Sequence, residues 1–247
     1  MVGAGTLINI VAVLLGAGVG VLVGDRLSER TRSTVTDGLG LITLVVGALN
    51  VMSIGDDAFG DAVGADWTLI VVLGAVVLGG VIGSVLGIEP GLERLGGWLQ
   101  QRLAPSDADE ARARFVEGYV SASLLFCVGP LTILGSISDG LGTGIDQLVL
   151  KSSLDLFAAM AFAASLGVGV AASAITVLVV QGALTALGAV FGSFMPDSLI
   201  SAMTAAGGVL LLGIGLRLLQ VRRVPVADML PALVLAPVLT LVIDAVR

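Results

Sequence analysis

Apolar runs of roughly twenty residues recur along this whole chain, separated by short polar turns, and they leave it few ways to fold. Each run can carry a helix across the hydrocarbon core of a bilayer. There a backbone satisfies its hydrogen bonds only as a helix or a closed barrel. Read against turn and charge signals, the runs give eight candidate spans, at 5–23, 38–54, 67–87, 118–137, 147–168, 171–193, 199–219 and 226–244. Composition agrees: 56% of the 247 residues are hydrophobic, 13% are charged, and the mean hydropathy is +1.07. A soluble chain of this length would need far more polar surface to cover its core. The expected fold is all-α, a polytopic transmembrane helical bundle of about eight spans, forming a single transmembrane domain over residues 1–247.

Charge placement orients the bundle. Arg26, Arg30 and Arg32 follow the first span, Arg94, Arg102, Arg112 and Arg114 the third, and Arg217, Arg222 and Arg223 the seventh. Ten of the twelve basic residues thus fall in alternate connections. The opposite side carries Asp56, Asp57, Asp61, Asp66, Asp139, Asp146 and Asp197, with only Lys151 and Arg247 as cations. By the positive-inside rule the Arg-rich side is cytoplasmic, so eight spans put both termini outside. A re-entrant segment at 118–137 would leave seven spans and break the alternation. The N-terminus lacks the charged n-region of a secretory signal, so the first run is expected to be retained.

The same composition excludes several function classes. The net charge of −7 comes mostly from loop acids, and no basic tract is present, so no nucleic-acid partner is expected. With no His and the lone Cys127 inside an apolar segment, structural zinc and disulfide frameworks are ruled out, and neither a metal nor a cofactor is expected. No nucleophile stands at helical spacing from a base, and the Gly-rich runs lie inside apolar helices rather than after strands. The chain does not read as an enzyme. The partners it implies are the lipid bilayer and a small cation or polar solute; a homo-oligomer is compatible with it.

Two features lie outside the spans. Residues 91–103 place Leu92, Leu95, Trp98, Leu99 and Leu103 at near-helical spacing, which suits a short helix in the membrane surface or one packed on the protein's own loops. Residues 104–110 (APSDADE) form the only linker-like run. The chain then reads as three spans plus the interfacial helix (1–103), a cytoplasmic linker (104–114) and five spans (115–247). Glycine spacing suggests an internal symmetry as well. Gly16, Gly20 and Gly24 echo Gly188 and Gly192, and GLGLITLVVGALN from Gly38 echoes AAGGVLLLGIGLR from Ala205. Spans one to three would then match six to eight as inverted three-helix repeats flanking a central helix pair. The competing explanation is that these glycines are small faces for close helix packing.

Polar groups inside the spans carry the functional reading. Pro130 has no N–H, so the Phe126 carbonyl loses its helical partner, and Gly129 lets the backbone bend there. A carbonyl freed at membrane depth is a ligand for a dehydrated cation or a polar group; the alternative is a kink satisfied by a neighbouring Ser or Thr. Lys151 and Asp155 are four residues apart and pair on one helix face, either as a structural pair or lining a polar cavity. Asn9, Asn50 and Gln181 form interhelical hydrogen bonds or line the same cavity. The site expected is Phe126, Gly129, Pro130, Lys151, Asp155, Asn9, Asn50 and Gln181. Two functions compete: a small-ion or small-solute transporter or channel built around the broken fourth helix and the fifth, and a non-transporting membrane scaffold or assembly partner.

Several motifs resemble the DUF554 membrane proteins. They are Gly5-Thr6 with Asn9, the run from Phe115 to Gly129 (FVEGYVSASLLFCVG), Ile133-Leu134-Gly135-Ser136, Asp139-Gly140-Leu141 and Lys151-Ser152 with Asp155. Gln181-Gly182, Gly207-Gly208, Gly213-Ile214-Gly215-Leu216 and Leu230-Pro231-Ala232 continue the likeness, which covers nearly the whole chain in order. The chain departs from the family's pattern at Leu156, where Gly is usual, and at Arg217 and Asp228, where Asn is usual. The resemblance implies a multi-pass protein of a bacterial inner (plasma) membrane and implies no reaction.

Overall fold

The computed structural model describes residues 2–24, 26–105, 108–127, 130–191 and 196–246, and all their regular structure is helical. The helices are α1 (Ala4–Gly24), α2 (Glu29–Val51), α3 (Asp57–Val63), α4 (Thr68–Leu86), α5 (Ile88–Leu103) and α6 (Asp109–Cys127). They continue as α7 (Pro130–Leu141), α8 (Asp146–Leu166), α9 (Gly169–Phe191), α10 (Asp197–Leu218) and α11 (Ala232–Val246). Short 3-10 turns stand at Met52–Gly55 and Ala227–Met229. Among the described residues seven helices are long and apolar enough to cross a membrane, or eight if α6 and α7, bent by 61°, count as one. The bend sits where Pro130 denies the helix a donor. The expected fourth span, 118–137, is thus two helices, α6 and α7.

The helices gather into two compact units. The first holds Met1–Leu39 with Leu92–Phe194, the second Gly40–Gly91 with Met195–Arg247. In the first unit α1 lies along α8 at backbone contact. A Cβ at Gly16, Gly20 or Gly24 would stand 2.2, 2.2 and 2.5 Å from the carbonyl oxygens of Leu156, Met160 and Ala164. Both helices advance by four residues per contact, so they run parallel. In lipid, where apolar surface gives no driving force, such close backbone packing is what holds helices together. Position 156 contributes its carbonyl to this contact, so a Leu there leaves the packing intact.

The second unit uses the same device between antiparallel pairs. Gly47 of α2 meets Gly208 of α10, and Gly215 of α10 meets Gly40 and Leu44 of α2. Gly79 of α4 meets Ala232, and Gly83 would drive a Cβ to 1.9 Å from the Asp228 carbonyl oxygen. The look-alike segments from Gly38 and Ala205 are therefore packing partners of one another. Gly188 meets the Ile137 backbone of α7, and Gly192 lies outside the described residues. The inverted repeat is not confirmed, and the glycines act as small faces for packing.

Two boundaries differ from expectation. Helix α5 starts at Ile88 instead of 91, because Gly87 closes α4 in the left-handed conformation (φ +64°) and the chain turns straight into a new helix. Its Leu99 and Gln100 are buried, while Leu95, Trp98 and Leu103 stay exposed, with the Arg102 guanidinium 5.6 Å from the Trp98 ring centre. Helix α6 begins at Asp109, so helix replaces the second half of the expected 104–114 linker.

Candidate functional site

The candidate site lies in the first unit, among α1, α7, α8, α9 and the end of α6. Its uppermost layer is built by Asp139 of α7. The first turn of any helix has N–H groups without intrahelical acceptors. Here the N–H groups of Gly3 and Gly5 donate to the Asp139 carboxylate at 3.0 Å each, and that of Thr6 at 3.4 Å. Asp139, 1% exposed, thus caps α1 from a helix more than 130 residues away in sequence. Beside it, the Thr6 and Thr185 hydroxyls meet at 3.2 Å and tie α1 to α9.

One turn further along each helix stand Asn9 and Gln181. Helices α8 and α9 are joined only by Gly167 and Val168, so α9 turns back along α8. Because α1 runs parallel to α8, it is antiparallel to α9. Asn9 follows Thr6 by three residues and Gln181 precedes Thr185 by four, so both lie on the inner side of the Thr6–Thr185 contact.

Asn9 also reaches across to α8. Its Nδ2 donates to Asp155 Oδ2 at 3.0 Å, and the Lys151 ammonium pairs with the same oxygen. The ammonium lies 5.9 Å from the centre of the Phe126 ring, at the C-terminal end of α6, so the helix break stands beside the ion pair. Lys151 and Asp155 are 6% and 7% exposed. A buried pair of this kind repays its desolvation only with added hydrogen bonds, and Asn9 supplies one.

The surrounding amides and hydroxyl are not so provided for. Asn9 Oδ1, Ser136 Oγ and both polar atoms of Gln181 have no hydrogen-bond partner among the described residues, and all three side chains are 0% exposed. An unmade buried hydrogen bond costs about 1–3 kcal/mol, and most buried polar groups avoid it. Asn9's orphan must be its oxygen, because its N–H₂ faces a carboxylate. The core thus presents spare acceptors beside one spare donor and one hydroxyl.

Of the expected site residues, Phe126, Lys151, Asp155 and Asn9 are brought into contact, and Gln181 is buried on α9, the helix that meets α1 at Thr185. Pro130 opens α7; Gly129 lies outside the described residues. Asn50 is half-buried on α2 in the second unit and does not belong to the group. One expectation is corrected: the Phe126 carbonyl is not free, because the Thr132 hydroxyl donates to it at 3.0 Å. That is the neighbouring-hydroxyl outcome, and a Thr two residues after Pro130 was its signal. Asp139, Thr6, Thr185 and Ser136 lie outside the site expected from sequence, although Thr6, Ser136 and Asp139 each belong to one of the motifs named above.

The second unit holds its own buried charges. Arg217 Nη1 donates to Glu89 Oε1 at 2.5 Å, the Ala227 N–H to Glu89 Oε2 at 2.8 Å, and the Glu89 N–H to Asp228 Oδ1 at 2.8 Å. Arg217, grouped above with the connecting-loop cations, instead lies in the last turn of α10 and is 7% exposed. The family departures at 217 and 228 therefore meet in one cluster through Glu89. Elsewhere in this unit an open cleft of about 550 Å³ is lined by Asp56, Asp57, Asp61 and neighbouring small residues. Among the described residues no group of three or more His, Cys, Asp or Glu is placed to hold a metal ion.

Comparison with known proteins assigns the chain to a family. Residues 4–241 match the family described as "Protein of unknown function (DUF554)". The "Uncharacterized protein YqgA" of Escherichia coli (strain K12) is 34% identical over 232 residues, covering 94% of each chain. The "Uncharacterized membrane protein YdfK" of Bacillus subtilis (strain 168) is 25% identical over 241 residues, covering 98% of this chain and 97% of its own. No solved structure matches. With its apolar helices and this coverage, the chain is a membrane protein that belongs to the DUF554 family.

Proposed function

We propose that the protein is a small-ion or small-solute transporter or channel of a bacterial inner membrane, not an enzyme, and that it binds its cargo in the polar core around Asn9, Asp155 and Gln181. The observation that carries this reading is the set of fully buried polar atoms of Asn9, Ser136 and Gln181 without partners among the described residues, in the unit that also holds a buried ion pair and a broken helix. Ionisable and irregular features at membrane depth are expensive to keep and serve function by default. An occupant that hydrogen-bonds to these atoms removes the cost.

The helix directions support eight crossings with both ends outside. If α6 and α7 together make one crossing, α1 and α8 are the first and fifth spans and run the same way. By the same count α2 and α10 are the second and seventh, and α4 and α11 the third and eighth, each antiparallel. All three relations match the glycine contacts. Counting the bent pair as re-entrant reverses every one of them. The Arg-rich connections then face the cytoplasm.

The test is osmotic shrinkage of proteoliposomes containing the purified protein, with glycerol, urea, glycine, NaCl, KCl and NH₄Cl as probes. One probe should equilibrate faster than in protein-free vesicles, and Gln181→Leu should remove the difference in a protein that still folds. If every probe moves at the protein-free rate and Gln181→Leu alters only stability, the scaffold reading replaces this one.

A further inference from the structure

Three features that attract positive charge converge on one point of the polar core. The first is the Asp155 carboxylate, whose Oδ2 accepts both Lys151 and Asn9. The second is the face of the Phe126 ring, 5.9 Å from the ammonium. The third is the C-terminal end of α6, where helix carbonyls carry partial negative charge. The positive charge found there is tethered: Lys151 hangs from α8, four residues from Asp155. The Asn9 side chain that donates to Asp155 has its Oδ1 fully buried and without a partner among the described residues, and so has the Gln181 amide of α9, the helix that meets α1 at Thr185.

We infer that this point is a monovalent-cation site and that the Lys151 ammonium is its built-in occupant, holding the place of a free alkali or ammonium ion. This deepens the transport reading above and rests on the polar core being its binding site. The charge is set by the single carboxylate. One positive charge against one negative leaves the core neutral, whereas a divalent ion leaves a net charge in a low-dielectric interior. Divalent ions such as calcium also take six to eight oxygens, usually with several carboxylates, and the core has one. The spare oxygens of Asn9 and Gln181, with the Asp155 carboxylate, supply what a partly dehydrated monovalent ion requires. While Lys151 holds the site, a free cation gains nothing by entering. When Lys151 swings away or is removed, the same oxygens are open to it. In a transport cycle Lys151 then prevents the unloaded carboxylate from standing uncompensated in the membrane.

The experiment measures thermal unfolding of the full-length protein in detergent, with choline chloride replaced stepwise by LiCl, NaCl, KCl or NH₄Cl at constant ionic strength. The variants are wild type, Lys151→Ala, Lys151→Met and Lys151→Ala combined with Asp155→Asn, each checked for helix content and a monodisperse elution profile. Wild type should be indifferent to the cation. Lys151→Ala or Lys151→Met should be stabilised saturably by one of the four. At ten times its Kd that ion raises the folded-to-unfolded ratio about elevenfold, by mass action. Adding Asp155→Asn should abolish the shift. If either folded Lys151 variant is equally stable in all four cations and in choline, the inference is overturned, and so it is if the double variant keeps the shift. The two readings fail separately: probe flux with no cation shift leaves transport standing, and a cation shift with no flux leaves a cation site in a protein that does not transport.

Discussion

Glu89→Ala should be among the most damaging single substitutions in the second unit. The Glu89 side chain is 12% exposed and holds Arg217 at 2.5 Å and the Ala227 N–H at 2.8 Å. Removing one partner of a buried ion pair costs about 3–5 kcal/mol, since the other charge loses the carboxylate that faces it. Asp228, bound to the Glu89 backbone, keeps a carboxylate in the cluster and holds the loss to the lower part of that range. The orphaned Ala227 N–H adds about 1–2 kcal/mol. The expected loss is about 4 kcal/mol. Glu89→Gln keeps an oxygen for Ala227 and should lose about half as much, while Glu89→Leu with Arg217→Leu should recover most of the stability by removing both charges together. The assay is reversible unfolding in mixed micelles, followed by helix content and tryptophan emission. Glu89→Ala within about 1 kcal/mol of wild type would refute the reasoning. So would a double variant no more stable than the single one.

On α1, Gly16→Ala forces a Cβ to 2.2 Å from the Leu156 carbonyl oxygen and should cost about 1–3 kcal/mol or more, whereas Gly18→Ala, with nothing within 4 Å, should be neutral or slightly stabilising by the same unfolding assay. Asp139→Asn puts an amide where three backbone N–H groups converge and should lower stability by about 1–3 kcal/mol, with α1 amides near Gly5 exchanging hydrogen faster. In a Cys127→Ser background, single cysteines at Glu110 and Asp57, both exposed, should react with membrane-impermeant maleimide from opposite sides, Glu110 from the cytoplasm. Labelling of both from outside in intact cells contradicts the eight-span topology.

What the sequence made legible was local. Runs of apolar residues against turn and charge signals located the crossings, and the i, i+4 spacing of Lys151 and Asp155 announced their pair. Pro130 marked the bend. Long-range pairings left no such trace. Nothing near Asn9 indicates Asp155, 146 residues on, as its partner. Asp139 read as a loop acid because the N–H groups that donate to its carboxylate, those of Gly3, Gly5 and Thr6, lie at the start of another helix. Arg217 looked like a topology signal because its Glu89 partner lies 128 residues earlier. The look-alike glycine segments misled for a related reason: two helices that pack through glycine resemble each other because each needs the same small face.

The central claim is that the core around Gln181 is reached by water and solute. Its most direct test is Gln181→Cys in the Cys127→Ser background, reconstituted in vesicles and treated with a small water-soluble methanethiosulfonate reagent. Ala163→Cys, buried in α8, serves as the dry comparator and Glu110→Cys as the exposed one. The account predicts that Gln181→Cys reacts at a rate between the two, and more slowly when the transported probe is present. A rate no greater than that of Ala163→Cys, in protein whose Glu110→Cys counterpart labels fully, would mean a dry, closed interior and contradict it.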